Sequence, residues 1–381
     1  MRATLKKLLL LDMLYAFISA ALAVMVPLYL VDLGIDIAAI GFIIAGMPLA
    51  IMISRIFFSS AADQIGTKSI EILESLATLF AIAIYALSRS AQAFAVAQFS
   101  EGVRDASFWA TARVDVIHAA GKRHIDRAFA YLVGLRQLAD GIGRVSVGVI
   151  LLFFSFKMSF VFLFFLSLVM LVLILTINKN PFHRFPVSRL VVKRIFHRRP
   201  RHFWHHAFGV ALHKVTPYVL LFFFLPLYLY TQLGFDYYAT ASVLAVFSLM
   251  IAVSNLLAVR MNLSMHAILF LLFLSVPALI LLPLMGDEVL LPVIMISVGS
   301  GAGNLLTEKL ICRETSGKKN PSTEISVLYF PAMLIQFLIM AIGGVFVSVF
   351  GFVPVFSFFA FVTLYYILYA QEVFRDPKKP K

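Results

Sequence analysis

The sequence predicts an all-α membrane protein of twelve transmembrane helices, arranged as two six-helix bundles in a parallel pseudo-twofold repeat. Three observations carry that expectation. The 381 residues are 61% hydrophobic and only 13% charged, with a mean hydropathy of +0.96, far more apolar than water-soluble domains, so a soluble fold is excluded. The apolar residues fall in runs of about twenty, the length that crosses a hydrocarbon layer while every backbone polar group bonds within its own helix. A set of residues also recurs at an offset of 199 to 200, which indicates two similar halves.

Hydropathy places spans near 8–31, 38–60, 69–88, 91–112, 128–153, 158–177, 207–231, 237–258, 265–285, 289–310, 323–348 and 350–371. The first lacks a small-residue cleavage site and is followed by more spans, so it reads as a helix rather than a removable signal. Arg2, Lys6, Lys7, Lys68, Lys122, Arg123, Arg127, Arg260, Lys318, Lys319 and the Lys378–Lys381 tail all fall on one side of this pattern. The positive-inside rule makes that side cytoplasmic, with both termini there, whereas only Arg89 and Lys157 face out. The net charge of +13 therefore reflects membrane topology and not a nucleic-acid surface. Residues 178–206 carry three prolines, many basic residues and no acid, and they divide the chain into residues 1–177, this basic linker and residues 207–381. His197, His202, His205 and His206 lie in the linker, but no acid or cysteine completes a metal shell, so no metal and no cofactor is expected. Cys312 is the single cysteine and forms no intrachain disulfide.

Pro27-Leu28-Tyr29-Leu30, with Leu33-Gly34 and Asp36, recurs as Pro226-Leu227-Tyr228-Leu229, with Leu233-Gly234 and Asp236. At offset 200, Ser100 meets Ser300, Arg113 meets Arg313 and Gly143 meets Gly343. Parallel repeats of this kind place a substrate site at the midplane between the halves and imply alternating access. Between the second and third spans stands Ser59-Ser60-Ala61-Ala62-Asp63-Gln64-Ile65-Gly66-Thr67-Lys68, which resembles the G-x-x-x-D-R/K-x-G-R/K-K loop of the major facilitator superfamily. Asp63, Gly66 and Lys68 match; Ser59, Gln64 and Thr67 depart from it, and the corresponding loop near 260–266 has lost the pattern. The resemblance implies a conformational latch formed by Asp63, Gly66 and Lys68. It also implies a cavity lined by the first, fourth, seventh and tenth spans. Arg113, at the cytoplasmic end of the fourth span, reads either as an ion partner for Asp63 or as a positive-inside anchor.

Glu101, Arg104 and Asp105 lie near the middle of the fourth span, and Arg136, Asp140 and Arg144 lie along the fifth at i, i+4 and i+8. Each triplet shares a helical face, and charges at such depth are costly unless paired, hydrated or facing a cavity. At the repeat-related positions stand Gly301, Asn304, Leu305, Gln336, Met340 and Gly344, none of them charged. Glu101 or Asp140 is expected to carry a coupling proton, and Arg104 or Arg136 to act as counter-ion or anion ligand, with Asn304 and Gln336 as polar counterparts. The competing structural reading is an ion network joining the fourth and fifth helices. Sugar/proton symporters of the superfamily also pair a fourth-helix acid with a fifth-helix arginine. The glycine-rich fifth-helix motif of its drug/proton antiporters ends G-P-x-x-G-G, where this chain reads Gly143-Arg144-Val145-Ser146-Val147-Gly148, with Arg in place of Pro. With no Walker motif, paired metal-binding helix or nucleophile elbow, an enzyme is not expected. The expected function is secondary transport of a small-molecule substrate coupled to protons, by a monomer in the cell membrane bilayer that binds no nucleic acid. The alternatives are export of amphipathic compounds by proton antiport, or a membrane scaffold or sensor that transports nothing.

Overall fold

A computed structural model describes residues 3–65, 67–120, 125–177, 199–315, 318 and 321–374, with all their regular structure helical. Twelve long helices follow one another: α1 (Ala3–Asp32), α2 (Ile37–Ile65), α3 (Lys68–Leu87), α4 (Ala91–Ala120), α5 (Ile125–Phe153) and α6 (Phe156–Thr176). After the linker come α7 (Arg201–Gln232), α8 (Tyr237–Arg260), α9 (Met265–Leu281), α10 (Leu290–Thr315), α11 (Pro321–Phe350) and α12 (Phe352–Phe374). Ten are long and apolar enough to cross a membrane. The other two, α4 and α5, are 30 and 29 residues long and carry the two charge triplets. Large apolar side chains such as Phe42, Phe80, Phe165, Val172, Phe270 and Phe361 project from the bundle surface, which suits a hydrocarbon surround.

The repeated Leu-Gly-x-Asp segment has a local physical cause. Gly34 and Gly234 take φ of +74° and +69°, a left-handed conformation that ends α1 and α7, because glycine has no Cβ to clash there. Two residues on, Asp36 accepts from the Ala38 amide at 2.9 Å and Asp236 from the Ala239 amide at 2.6 Å, which starts α2 and α8. Around Pro226, which has no amide hydrogen, α7 widens into π turns at Leu220–Phe224 and Tyr228–Gln232.

Helix α7 begins six residues before the expected boundary at 207. Its first turns are amphipathic: Phe203 and Ala207 enter a hydrophobic cluster with α9, α10 and α12. His206, expected on the solvated linker, is buried, with its Nδ1 2.5 Å from Glu314 Oε1. His197 and the rest of 178–198 lie outside the described residues, as do Arg2, Lys122, Arg123, Lys319 and the Lys378–Lys381 tail.

Within residues 3–177, α1 packs on α5 and α6, α2 on α4, and α3 on α4 and α6. In the second half the same pairings recur six helices later: α7 with α11 and α12, α8 with α10, and α9 with α10 and α12. The halves meet where α2 packs on α11 and α5 on α8, two contacts that exchange with each other under the same relation. Glycine permits the close approach at this seam. A Cβ on Gly41 would stand 2.6 Å from Met340 O, one on Gly344 2.5 Å from Ile37 O, and one on Gly148 2.9 Å from Ala241 Cβ.

Candidate functional site

Helix α4 runs between α2 and α3, and the i, i+3, i+4 spacing of Glu101, Arg104 and Asp105 brings all three onto one buried face. Arg104, 1% exposed, holds Asp105 Oδ1 at 2.8 Å through Nη2 and Glu101 Oε2 at 3.2 Å through Nη1, and its Nη2 donates to Ser19 Oγ at 3.3 Å. Hydroxyls from neighbouring helices complete the cluster. Tyr15 of α1 donates to Asp105 at 2.7 Å, Tyr85 of α3 donates to Glu101 at 2.6 Å, and Gln98 reaches both Glu101 and the Tyr85 oxygen. Two carboxylates around one guanidinium, each with a phenol donor, keep ions in a low-dielectric interior at tolerable cost because each charge is paired and hydrogen-bonded.

The fifth-helix charges do not join this cluster. Arg144, 1% exposed, pairs with Asp140 of its own helix at 3.1 Å, and its guanidinium stands 5.8 Å from the ring of Phe222 on α7, across the seam. Arg136 pairs instead with Asp12 of α1, through contacts of 2.5, 3.0 and 3.1 Å, and lies over the rings of Phe108 and Trp109. In place of the competing reading's ion network between the fourth and fifth helices stand pairs within each helix and one pair to α1. The reason is packing: α5 lies principally against α1 and α8, so its charged face meets those helices.

In the second half, Asn304 and Gln336 converge on one lysine. Lys214 of α7 donates to Asn304 Oδ1 at 2.7 Å, and Gln336 donates to the Lys214 carbonyl at 3.3 Å. Its neighbour His213 places Nε2 3.1 Å from Ser300 O, beside a cavity of about 10 Å³ lined also by Thr216 and Tyr366. Tyr218, one turn beyond Lys214, touches Met47 of α2 and lies within electrostatic reach of Glu101, Arg104 and Asp105. Across the seam, Tyr218 therefore lies near the Arg104 cluster and Phe222 beside Arg144, while Lys214 is held by amides of its own half.

Of the expected latch, Gly66 and the side chains of Asp63 and Arg113 lie outside the described residues. Lys68 donates to the Ile177 carbonyl at 2.9 Å, at the end of α6 where unpaired carbonyls concentrate negative potential. Thr67 donates to Asp115 of α4 at 2.6 Å. Ser59, a departure from the family pattern, sets its hydroxyl 2.6 Å from that of Ser326 on α11, and Arg55 one turn earlier lies 4.6 Å over the Tyr329 ring. These contacts cross the seam.

Sequence reasoning missed Asp12, Tyr15, Glu71, Glu74, Tyr85 and Asp115, all buried. Asp12, Glu74 and Asp115 are single acids that complete no triplet, and Glu71 sits in the first turn of a helix, where acids are favoured. A count of every ionisable residue inside the spans, without asking for a triplet, would have singled them out. Compared with known families, residues 8–307 match a family model described as Major Facilitator Superfamily, well over half of the chain. No curated protein gives a significant match.

Proposed function

Because the chain belongs to the major facilitator superfamily, a family of membrane transporters, we propose that it carries a small solute across the cell membrane by alternating access, coupled to protons. In this reading all twelve long helices span, as two six-helix bundles related by a pseudo-twofold axis, with both termini cytoplasmic and the chain acting as a monomer. The recurrence of every helix pairing six helices later, and the exchange of α2–α11 with α5–α8, support it. Rocking about those two contacts would open the seam first on one side and then on the other.

The observation that carries the reading is the buried Glu101–Arg104–Asp105 cluster beside the seam. A proton arriving on Glu101 would weaken its hold on Arg104 and free a cationic donor toward the solute. Arg144 Nη1 is buried without an acceptor among the described residues, and Lys214 of the other half is held by a neutral amide and not by an acid, so the charges favour an anionic or polar solute over a cationic amphipathic drug. The test uses proteoliposomes with a trapped pH-sensitive dye and a panel of organic anions, sugars and amphipathic cations. One class should drive proton movement, and Glu101→Gln should abolish that movement while sparing solute exchange. Proton flux driven by none of them, or unaltered in Glu101→Gln, would count against the reading.

A further inference from the structure

Between α1, α3, α4 and α5, away from the Arg104 cluster, lies a second cavity of about 20 Å³, room for about one water, lined by Asp12, Glu71, Glu74, Thr111 and Asp115 together with apolar side chains. Four carboxylates at one cavity would repel each other strongly if all were ionised. Three have companions. Asp12 is held by Arg136, Asp115 accepts from Thr67, and Glu71 has polar contacts of its own. Glu71 Oε2 and Asp115 Oδ2 are also buried without a donor among the described residues, but each of those acids has a contact elsewhere; Glu74 differs in that its buried side chain, with Oε1 likewise donorless, makes no hydrogen bond or ion pair among the described residues. A bare carboxylate in that position would carry the full desolvation cost, whereas a protonated one is neutral and can donate into the cavity.

We propose that Glu74 is a proton-carrying carboxyl, loaded and unloaded through this cavity. Its carboxylate takes one proton from cavity water to become the acid and returns it by the reverse step, so charge and atoms balance without another reactant. The proposal rests on the proton-coupled reading above and adds to it a second protonation site, nearer the end of the bundle that carries the basic loops. Glu74 stands six residues from the start of α3, about 9 Å along the helix. The stacked rings of Tyr15 and Phe108, 3.5 Å apart, stand between the cavity and the cluster that Tyr15 contacts.

The groups facing Glu74 come from each packed element. Helix α1 brings Asp12 and Tyr15, α3 brings Glu71, α4 brings Arg104, Asp105 and Asp115, and α5 brings Arg136 through Asp12. Helix α6 contributes Ser167, whose carbonyl accepts from Ser75, and its only ionisable residue, Lys157, is at its far end. Arg104 is the cation in electrostatic reach of Glu74, and it is already shared by Glu101 and Asp105. A metal cation fits poorly, since hard cations take six or more oxygens and no group of three or more acids, histidines or cysteines among the described residues is placed to hold one.

The test uses the full chain in lipid nanodiscs and needs no transport substrate. Dicyclohexylcarbodiimide, which attacks protonated carboxyls in apolar surroundings, is applied in mildly acidic and in alkaline buffer, with sodium chloride or choline chloride, and the adducts are mapped by peptide mass spectrometry. Glu74 should be labelled in acidic buffer, about tenfold less for each pH unit above its midpoint, and equally in both salts. A component of the infrared carbonyl band of protonated acids should be present in the parent, lost in Glu74→Gln and retained in Glu101→Gln. If Glu74→Gln does not fold, labelling of the parent decides by itself. Glu74 unlabelled in acidic buffer, protection by sodium, or a band unchanged in Glu74→Gln would overturn the proposal and leave the transport reading standing. Loss of solute-driven flux with Glu74 still labelled would do the opposite.

Discussion

Replacing Arg136 by glutamine removes the cation that neutralises Asp12, and the geometry fixes what that costs. The Asp12 side chain is 4% exposed and that of Arg136 17%, so the pair is shielded from water, and its contacts run from 2.5 to 3.1 Å. Removing one member of such a pair leaves a buried, uncompensated charge, which costs about 3–5 kcal/mol. Loss of the guanidinium from above Phe108 and Trp109 adds roughly 0.5–1 kcal/mol for each ring. Against a total stability on the order of 5–15 kcal/mol, that is a severe loss. A fluorescent-protein fusion followed by size-exclusion chromatography after a heating series measures it directly. Arg136→Gln should collapse well below the parent, and adding Asp12→Asn should recover most of the loss because the site is then neutral. Adding Asp140→Asn should recover nothing, since Asp140 serves Arg144. Rescue by Asp140→Asn, or an Arg136→Gln protein as stable as the parent, would refute the pairing argument.

Three further perturbations probe the seam. Gly41→Val puts methyl groups into the backbone of α11 at Met340 and Gly344, so a cysteine introduced at buried Ala45 in a Cys312→Ser background should react several-fold faster with a thiol reagent; an unchanged rate would contradict it. Ser59→Ala removes the hydroxyl contact to Ser326, worth about 1 kcal/mol. Spin-label distances between those ends of α2 and α11 should then show the separated population grow about fivefold, and an identical distribution would argue against a latch role. Arg144→Met should abolish movement of an anionic solute in the proteoliposome assay while leaving heat stability near that of Asp140→Asn/Arg144→Met; undiminished transport would remove Arg144 from the solute path.

The elements were legible where one residue sets local geometry. The two Leu-Gly-x-Asp segments fall between the expected spans, and Gly34 and Gly234 there take the left-handed turn that only glycine adopts cheaply. The i, i+3, i+4 spacing of Glu101, Arg104 and Asp105 fixed a shared face for the same reason. What spacing could not supply was which helix that face meets. Arg136 and Asp140 stand four residues apart and look like a pair, yet Arg136 extends to Asp12, 124 residues earlier in the chain, because α5 packs on α1. Residues 201–206 read as linker because histidines and arginine dominate them, while Phe203 and Ala207 on the opposite face were enough to seat the turn in the core.

The halves share a helix-by-helix packing plan but not its chemistry. Where the first half places Arg104 and Arg136 among acids, the second places Asn304 and Gln336 around Lys214, a neutral amide set that takes no proton. Packing therefore does not call for the acids, since the same helix pairs form in the second half without them. Ions kept at such cost in one half are better explained by work that needs a change of charge. On the proposed reading, proton handling belongs to α1, α3, α4 and α5, with Glu101 beside the seam and Glu74 toward the basic-loop end. In the same reading the second half meets the solute with Lys214 and moves against the first along α2–α11 and α5–α8. On that division, Glu74→Gln and Glu101→Gln should each uncouple transport from protons, whereas Asn304→Ala and Gln336→Ala should weaken solute affinity and leave the proton-to-solute ratio unchanged. A changed ratio in either of the second-half variants would show that the division is wrong.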